Sequence, residues 1–312
     1  MPWKERYTIS DEASLTDEAV VWPDGHRCCV RIVVNLGLAT AAQGLVPADL
    51  RNGDAVYAMG EGLDILLDRL ARHDLLATFA VPAMMASVYA SRMRQLQAAG
   101  HEIAVAGLKQ EDVALLSPQE EKRRLDMATA MVADVTGAAP AGWFGLPRAS
   151  DQFAVGSLSS STVDLLIGAG YVYLGNGLAD DIPHYWVTDF GSRRCLLTLP
   201  SYYHFNDQYF MLYPRKGSGL ENPEALFRNW RWEFDAQYGR GRFFEMTVHP
   251  RHIGWSDRLP GFDRFLAHLR SQPGVWSATG AACAAYWLKT YPAKDVLKLE
   301  ASVWQDHEGS LS

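Results

Sequence analysis

Short apolar runs alternate with longer stretches whose apolar residues recur at helical spacing, from about Cys28 to Lys289. Cys28–Val34 reads as a buried strand ending at Asn35, and Leu36–Asp54, rich in Gly, Ala and polar residues, as a long loop. Leu63, Leu66, Leu67 and Leu70 mark one face of a helix running to about His73, and Leu75–Val81 is the next strand, stopped by Pro82. The pattern then repeats. A helix over Ala83–Ala99 ends at Gly100, and His101–Gly107 is strand-like. Ser117-Pro118-Gln119-Glu120 is a capping box that opens a helix closed by Gly137. Gly142–Leu146 and Tyr171–Leu174 are short strands either side of a helix capped by Ser161–Asp164, and Cys195–Leu199 is a further strand. Pro223–Tyr238 is a helix, Phe243–Val248 a strand, and Leu259, Phe262, Leu266 and Leu269 stripe another helix. Val275–Ala278 and Ala281–Lys289 close the series. This alternation predicts an α/β fold with a mainly parallel sheet, closed or nearly so. The economical division is an arm over 1–26, one barrel domain over 27–291 and a tail over 292–312.

Gly241–Gly254, GRFFEMTVHPRHIG, carries the first chemistry. Its strand emerges at His249, Pro250 stops it, and Gly254 turns the chain. The ends of parallel strands deliver polar side chains to a pocket, and an imidazole there can give or take a proton near neutral pH. A histidine hydrogen-bonded to nearby backbone fits the same stretch equally well.

Composition narrows the partners. Of 312 residues, 48% are apolar and 21% charged, enough for a sizeable core. The net charge of −7 and the lack of basic runs speak against nucleic acid and anionic membranes. The polar N-terminus has no signal-peptide core, and the four cysteines show no CxxC spacing, so a reduced, cytoplasmic protein is expected. Ten Trp and thirteen Tyr suit an aromatic mouth for a flat or cyclic small molecule, though most such rings serve as core.

Several short motifs occur in order: Trp22-Pro23-Asp24-Gly25, Ala77-Thr78-Phe79 with Val81-Pro82, Ala99-Gly100-His101-Glu102-Ile103-Ala104, and Leu116-Ser117-Pro118. Gly142-Trp143, Ala179-Asp180-Asp181-Ile182-Pro183, Glu233-Phe234-Asp235, His249-Pro250 and Pro273-Gly274-Val275-Trp276 follow. In this order and spacing the chain resembles the polysaccharide deacetylase (NodB-homology) superfamily over Trp22–Trp287. Within it the chain looks nearest the metal-independent allantoinases and cyclic-imide hydrolases. The resemblance implies a distorted (β/α)7 TIM-like barrel and hydrolysis of a carbon–nitrogen bond. The superfamily's usual cation sits on an aspartate and two histidines, with a second aspartate as base and a late histidine, here His249, protonating the leaving amine. This chain departs from that pattern. Asn35-Leu36-Gly37-Leu38 has no carboxylate, Ala106 and Gln110 stand at the histidine positions, and Phe144 replaces an arginine. No cofactor and no metal ligand are therefore expected.

The remaining candidates for catalysis are His249, Lys109, Gln110 and Asp207, with Lys109 or Gln110 polarising a carbonyl and Asp207 or His204 orienting the imidazole. Asn35, Trp143, Tyr202, His204 and Arg251 are candidates for substrate contact. Asp207 is read equally as a turn residue, and Lys109 as a solvated amine. One reading is a metal-independent hydrolase of a small cyclic amide, imide or ureide. A second is an inactive relative that binds a carbohydrate or small ligand. A third is a barrel serving mainly in a homo-oligomer, with Gly175–Gly177 as an interface loop.

Overall fold

Strand β1 (Cys28–Asn35) is buried along its whole length, as a strand flanked by neighbours and covered on both faces must be. The computed structural model describes residues 15–145, 158–177, 180–189, 192, 194–202, 206–208 and 223–297. Outward from β1 run β2 (Ala77–Val81), β3 (Glu102–Val105), β4 (Gly142–Trp143) and β5 (Tyr173–Gly177). After them come β6 (His184–Asp189), β7 (Arg194–Pro200), β8 (Phe243–Val248) and β9 (Val275–Ser277). The sheet order is β6-β7-β5-β4-β3-β2-β1-β8. On the edge of β1 away from β8, β2 pairs with Ile32–Asn35 and β9 with Cys28–Val30. Every pairing is parallel except β6 with β7. The fold is α/β, a parallel-dominated sheet curled into a distorted (β/α)7 barrel.

Strand parity divides the core. Val30, Ile32 and Val34 of β1 and Phe244, Met246 and Val248 of β8 join the cluster that the surrounding helices cover. Cys29, Val33 and Phe243 join the inner cluster with Ala80, Ala104, Phe144, Tyr173 and Leu199. The two ends of the sheet come together through side chains and one backbone N–H. Tyr202 donates its N–H to Glu245 Oε2 at 3.0 Å, and Arg31 Nη2 donates to the Pro200 carbonyl at 2.6 Å.

Most predicted elements occur within a few residues of their expected bounds. The Ser117 hydroxyl accepts the Glu120 N–H at 3.3 Å and opens Pro118–Thr136, which Gly137 ends at φ 77°. The predicted helix over Ala83–Ala99 is broken at Tyr89 into Ala83–Val88 and Ala90–Ala98, and a helix that was not expected, Gly53–Met59, precedes Glu61–Arg72. Strand β6 was not expected. It returns as an antiparallel partner of β7 with no helix after it, so a search for strand–helix alternation passes it over.

Candidate functional site

The site lies where β1 and β8 end. In the parallel register Val34 faces Val248, so Asn35 and His249 are the next pair up, on strands about 4.8 Å apart. Alternation from Phe243 through Glu245 and Thr247 points His249 into the barrel, as alternation from Arg31 through Val33 points Asn35. His249 keeps extended dihedrals (φ −120°, ψ 127°) and caps the helical turn Pro250–Ile253, whose first position takes proline without losing a hydrogen bond. Tyr57 anchors the far side of that turn. Its hydroxyl donates to the Gly254 carbonyl at 2.9 Å, and its ring stacks on Trp255 at 4.4 Å.

Asp207 holds His249 at two points. Its Oδ2 accepts the His249 backbone N–H at 2.8 Å, and its Oδ1 lies 2.5 Å from Nδ1. Both side chains are buried, Asp207 completely. An ionised carboxylate only accepts, so the proton in that contact sits on Nδ1, and Nε2 is left with a lone pair. Nε2 is buried and has no hydrogen-bond partner among the described residues. Burial pushes the imidazole pKa down, and the attraction of Asp207 opposes this without reversing it, so the ring is neutral near pH 7. Burial also acts to raise Asp207, but the two neighbouring imidazoles outweigh it and hold the carboxyl well below its usual range. Asn35 completes the arrangement. Its Oδ1 accepts the Gly37 N–H at 2.7 Å, while its buried Nδ2 has no partner. One acceptor and one donor thus stand adjacent, both desolvated and unspent, which suits proton transfer beside a developing oxyanion.

His252 escaped the sequence reading. Its Nδ1 lies 3.8 Å from Asp207 Oδ1 and has no hydrogen bond, and its ring centroid is 5.0 Å from that of His249. Burial, first of all, lowers its pKa to about 4. The H-x-x-H spacing across Pro250 was the available signal, because residues three apart share one side of a helical turn.

The other predicted residues make contacts of their own. Gln110 is buried against the loop after β1: its Oε1 accepts the Ala39 N–H at 3.0 Å, and its amide packs over Gly37. Lys109 lays its side-chain stem against Gly44, while its backbone N–H donates to Glu111 at 2.7 Å. Trp143 lies on the helix side, edge-on to Tyr171 at 5.5 Å, because parity turns Gly142 and Phe144 inward instead. The Tyr202 hydroxyl donates to the Phe243 carbonyl at 3.1 Å, at the opposite end of β8 from His249 and so about 20 Å away along the strand. Arg251 is beside the dyad, with Nη2 3.4 Å from Gln208 Oε1 and a buried Nε that has no partner. His204, and Leu146 at the predicted end of β4, lie outside the described residues.

The cation implied by the family resemblance does not fit the matching positions. Leu36 and Ala106 offer no donor atom, and the Gln110 amide is committed to the loop after β1. Gln110 adopts φ 60°, a left-handed conformation that its buried contacts sustain. The cavity between Ala106, Gln110 and Phe144 is about 10 Å³, no larger than one water. Phe144, at the expected arginine, meets Tyr173 edge-on at 6.1 Å.

Residues 54–171 match the family described as polysaccharide deacetylase, a span that includes Ala106 and Gln110 but neither Asp207 nor His249. The chain is 23% identical over 274 residues to the peptidoglycan deacetylase of Helicobacter pylori (strain ATCC 700392 / 26695), covering 80% of this chain and 90% of that protein. Among solved structures, Puue allantoinase superposes with a TM-score of 0.74 at 21% identity, covering 90% of this chain and 98% of that one. A Pseudomonas aeruginosa PAO1 protein named as a probable polysaccharide deacetylase gives 0.74 at 22% identity, covering 87% and 94%. At these identities the structural likeness speaks for the fold, and over residues 54–171 the chain is similar to the polysaccharide deacetylase family.

Proposed function

We propose that the protein is a hydrolase of non-peptide carbon–nitrogen bonds that opens a small cyclic amide, imide or ureide without the cation of its relatives. The observation that carries this reading is the buried Asp207–His249 pair with an unspent Nε2, beside the unspent Nδ2 of Asn35. Nε2 takes a proton from an attacking water as the new C–O bond forms at the ring carbonyl. The carbonyl oxygen, gathering charge, receives the Asn35 N–H. As the ring C–N bond breaks, the imidazolium returns the proton to the departing nitrogen, and Asp207 stabilises the transient positive charge. A ring under strain, or one with an imide leaving group, needs less activation than an acetamide, which is consistent with the lost donors at Leu36 and Ala106.

The reading also expects a soluble small-molecule substrate in a reducing, cytoplasmic setting. No helix among the described residues is long and apolar enough to cross a membrane, and all four cysteines are free thiols. A panel of cyclic imides, hydantoin-like ureides and acetylated sugars, assayed in excess chelator, tests the proposal. Ring opening of an imide or ureide supports it, and turnover of acetylated sugars alone counts against it.

A second reading is a binding protein that has lost the reaction. It is favoured by the filled position of the ancestral cation, where Gln110 and Phe144 leave about 10 Å³. Saturable binding of a panel compound with no product over many hours would select this alternative.

A further inference from the structure

Asp207, His249 and His252 are, among the described residues, the one group of three His, Cys, Asp or Glu side chains whose potential ligand atoms all lie within 4.8 Å of one another. We propose that these three residues form a site for a transition-metal dication such as Zn²⁺, separate from the ancestral centre and held by Asp207 Oδ1 and the Nδ1 atoms of both histidines. Three observations carry this. The first is convergence: both Nδ1 atoms face the same carboxylate oxygen, at 2.5 and 3.8 Å. The second is availability, since the His252 Nδ1 is buried without a hydrogen bond and so carries an unused donor or acceptor. The third is donor chemistry. One carboxylate and two imidazoles are a common Zn²⁺ set, with bonds of about 2.0–2.2 Å, which leaves a fourth position open. Ligand atoms on such an ion stand roughly 3.3 Å apart, so His249 and His252 need move by less than about 1 Å.

The neighbouring charge limits the affinity. Arg251 is close enough to disfavour positive charge on both imidazoles, and it disfavours a dication for the same reason. Binding is therefore expected to be reversible. It also has a consequence that rests on the hydrolase reading. A cation at Nδ1 displaces the proton there, the ring takes its Nε2–H tautomer, and the lone pair that accepts a proton from water is lost. Zn²⁺ thus acts as an inhibitor that chelator reverses.

The binding is read first without substrate, so it is decided even if no turnover is found. Zn²⁺ is titrated by calorimetry into the chelator-stripped full chain, alongside His252→Leu and Asp207→Asn. One Zn²⁺ per chain is expected, with affinity falling by at least ~10-fold in either variant, since losing a ligand costs no less than losing a residue that only supports one. Absence of stoichiometric binding, or affinity unchanged in His252→Leu, overturns the site. Should a variant fail to fold, anomalous scattering from the Zn²⁺-bound wild-type crystal decides. An ion bonded to Asp207 and both histidines supports the site, and an ion placed elsewhere, or none, overturns it. Where turnover is measurable, inhibition by Zn²⁺ that chelator does not reverse contradicts the tautomer argument, while failure of every panel compound to react contradicts only the hydrolase reading.

Discussion

Asn35 and His249 stand side by side at the ends of β1 and β8, each presenting to the barrel interior one buried nitrogen that none of the described residues satisfies. One is a donor and the other an acceptor. A buried polar atom left unpaired costs about 1–3 kcal/mol, so two at adjacent positions mark a place where a ligand completes the hydrogen bonding.

If the Asn35 amide stabilises a developing oxyanion, Asn35→Ala lowers kcat by about 10²–10³-fold, with a smaller change in KM. Steady-state kinetics on the best cyclic substrate read this split. An effect confined to KM would make Asn35 a ground-state contact only.

The barrel interior below the site carries an interdependent charge pair. Arg31 is fully buried, its guanidinium near the rings of Phe144 and Phe243 at 5.5 and 5.6 Å. Burial pushes the Glu245 carboxyl up, and the charge of Arg31 draws it part of the way back. Arg31→Met takes that charge from the Glu245 carboxyl and a donor from the Gly175 and Pro200 carbonyls, and costs about 1–3 kcal/mol, whereas Arg31→Met with Glu245→Gln costs distinctly less than the two single changes summed. Urea unfolding of the four proteins measures the coupling, and strict additivity would show that the two groups do not interact.

Acid should destabilise the fold through His101. Its Nδ1 accepts the Ala77 N–H at 3.1 Å, so protonation there would set two donors against each other. Burial lowers its pKa in the folded protein below the unfolded value of about 6.5. Above that value the ring is neutral in both states and contributes nothing to the pH dependence. Below it the unfolded chain binds a proton that the folded chain does not, so stability falls with pH until the folded value is reached, by at most ~1.4 kcal/mol per pH unit. Urea midpoints between pH 7.5 and 5 give the slope, and His101→Leu should flatten it. A variant with the wild-type slope would assign the acid sensitivity to other groups.

What was legible in the sequence follows from periodicity. The apolar run Phe243–Val248, with proline directly after His249, specified the strand and where it ends. Gly137 and the Ser117 capping box fixed a helix at both ends. The partners of His249 were harder to read because tertiary contact defines them. Asp207 is 42 positions away, at the start of a helical turn, where in the sequence it suits a turn residue as well as an orienting carboxylate. His252 shares the site only because Pro250 starts a helical turn. Trp143 and Phe144 are consecutive aromatic residues, and which one faces inward depended on the parity of a two-residue strand. Gln110 offered the right functional group, but the Ala39 N–H claims it.

The central claim, that His249 moves the proton without help from the ancestral cation centre, is tested most directly by the rate of cyclic imide or ureide opening in excess chelator, compared between the wild type and His249→Ala. The account predicts clear turnover by the wild type and a loss of about 10²–10⁴-fold in kcat in the variant, which still binds the substrate. Turnover by His249→Ala at the wild-type rate would contradict it.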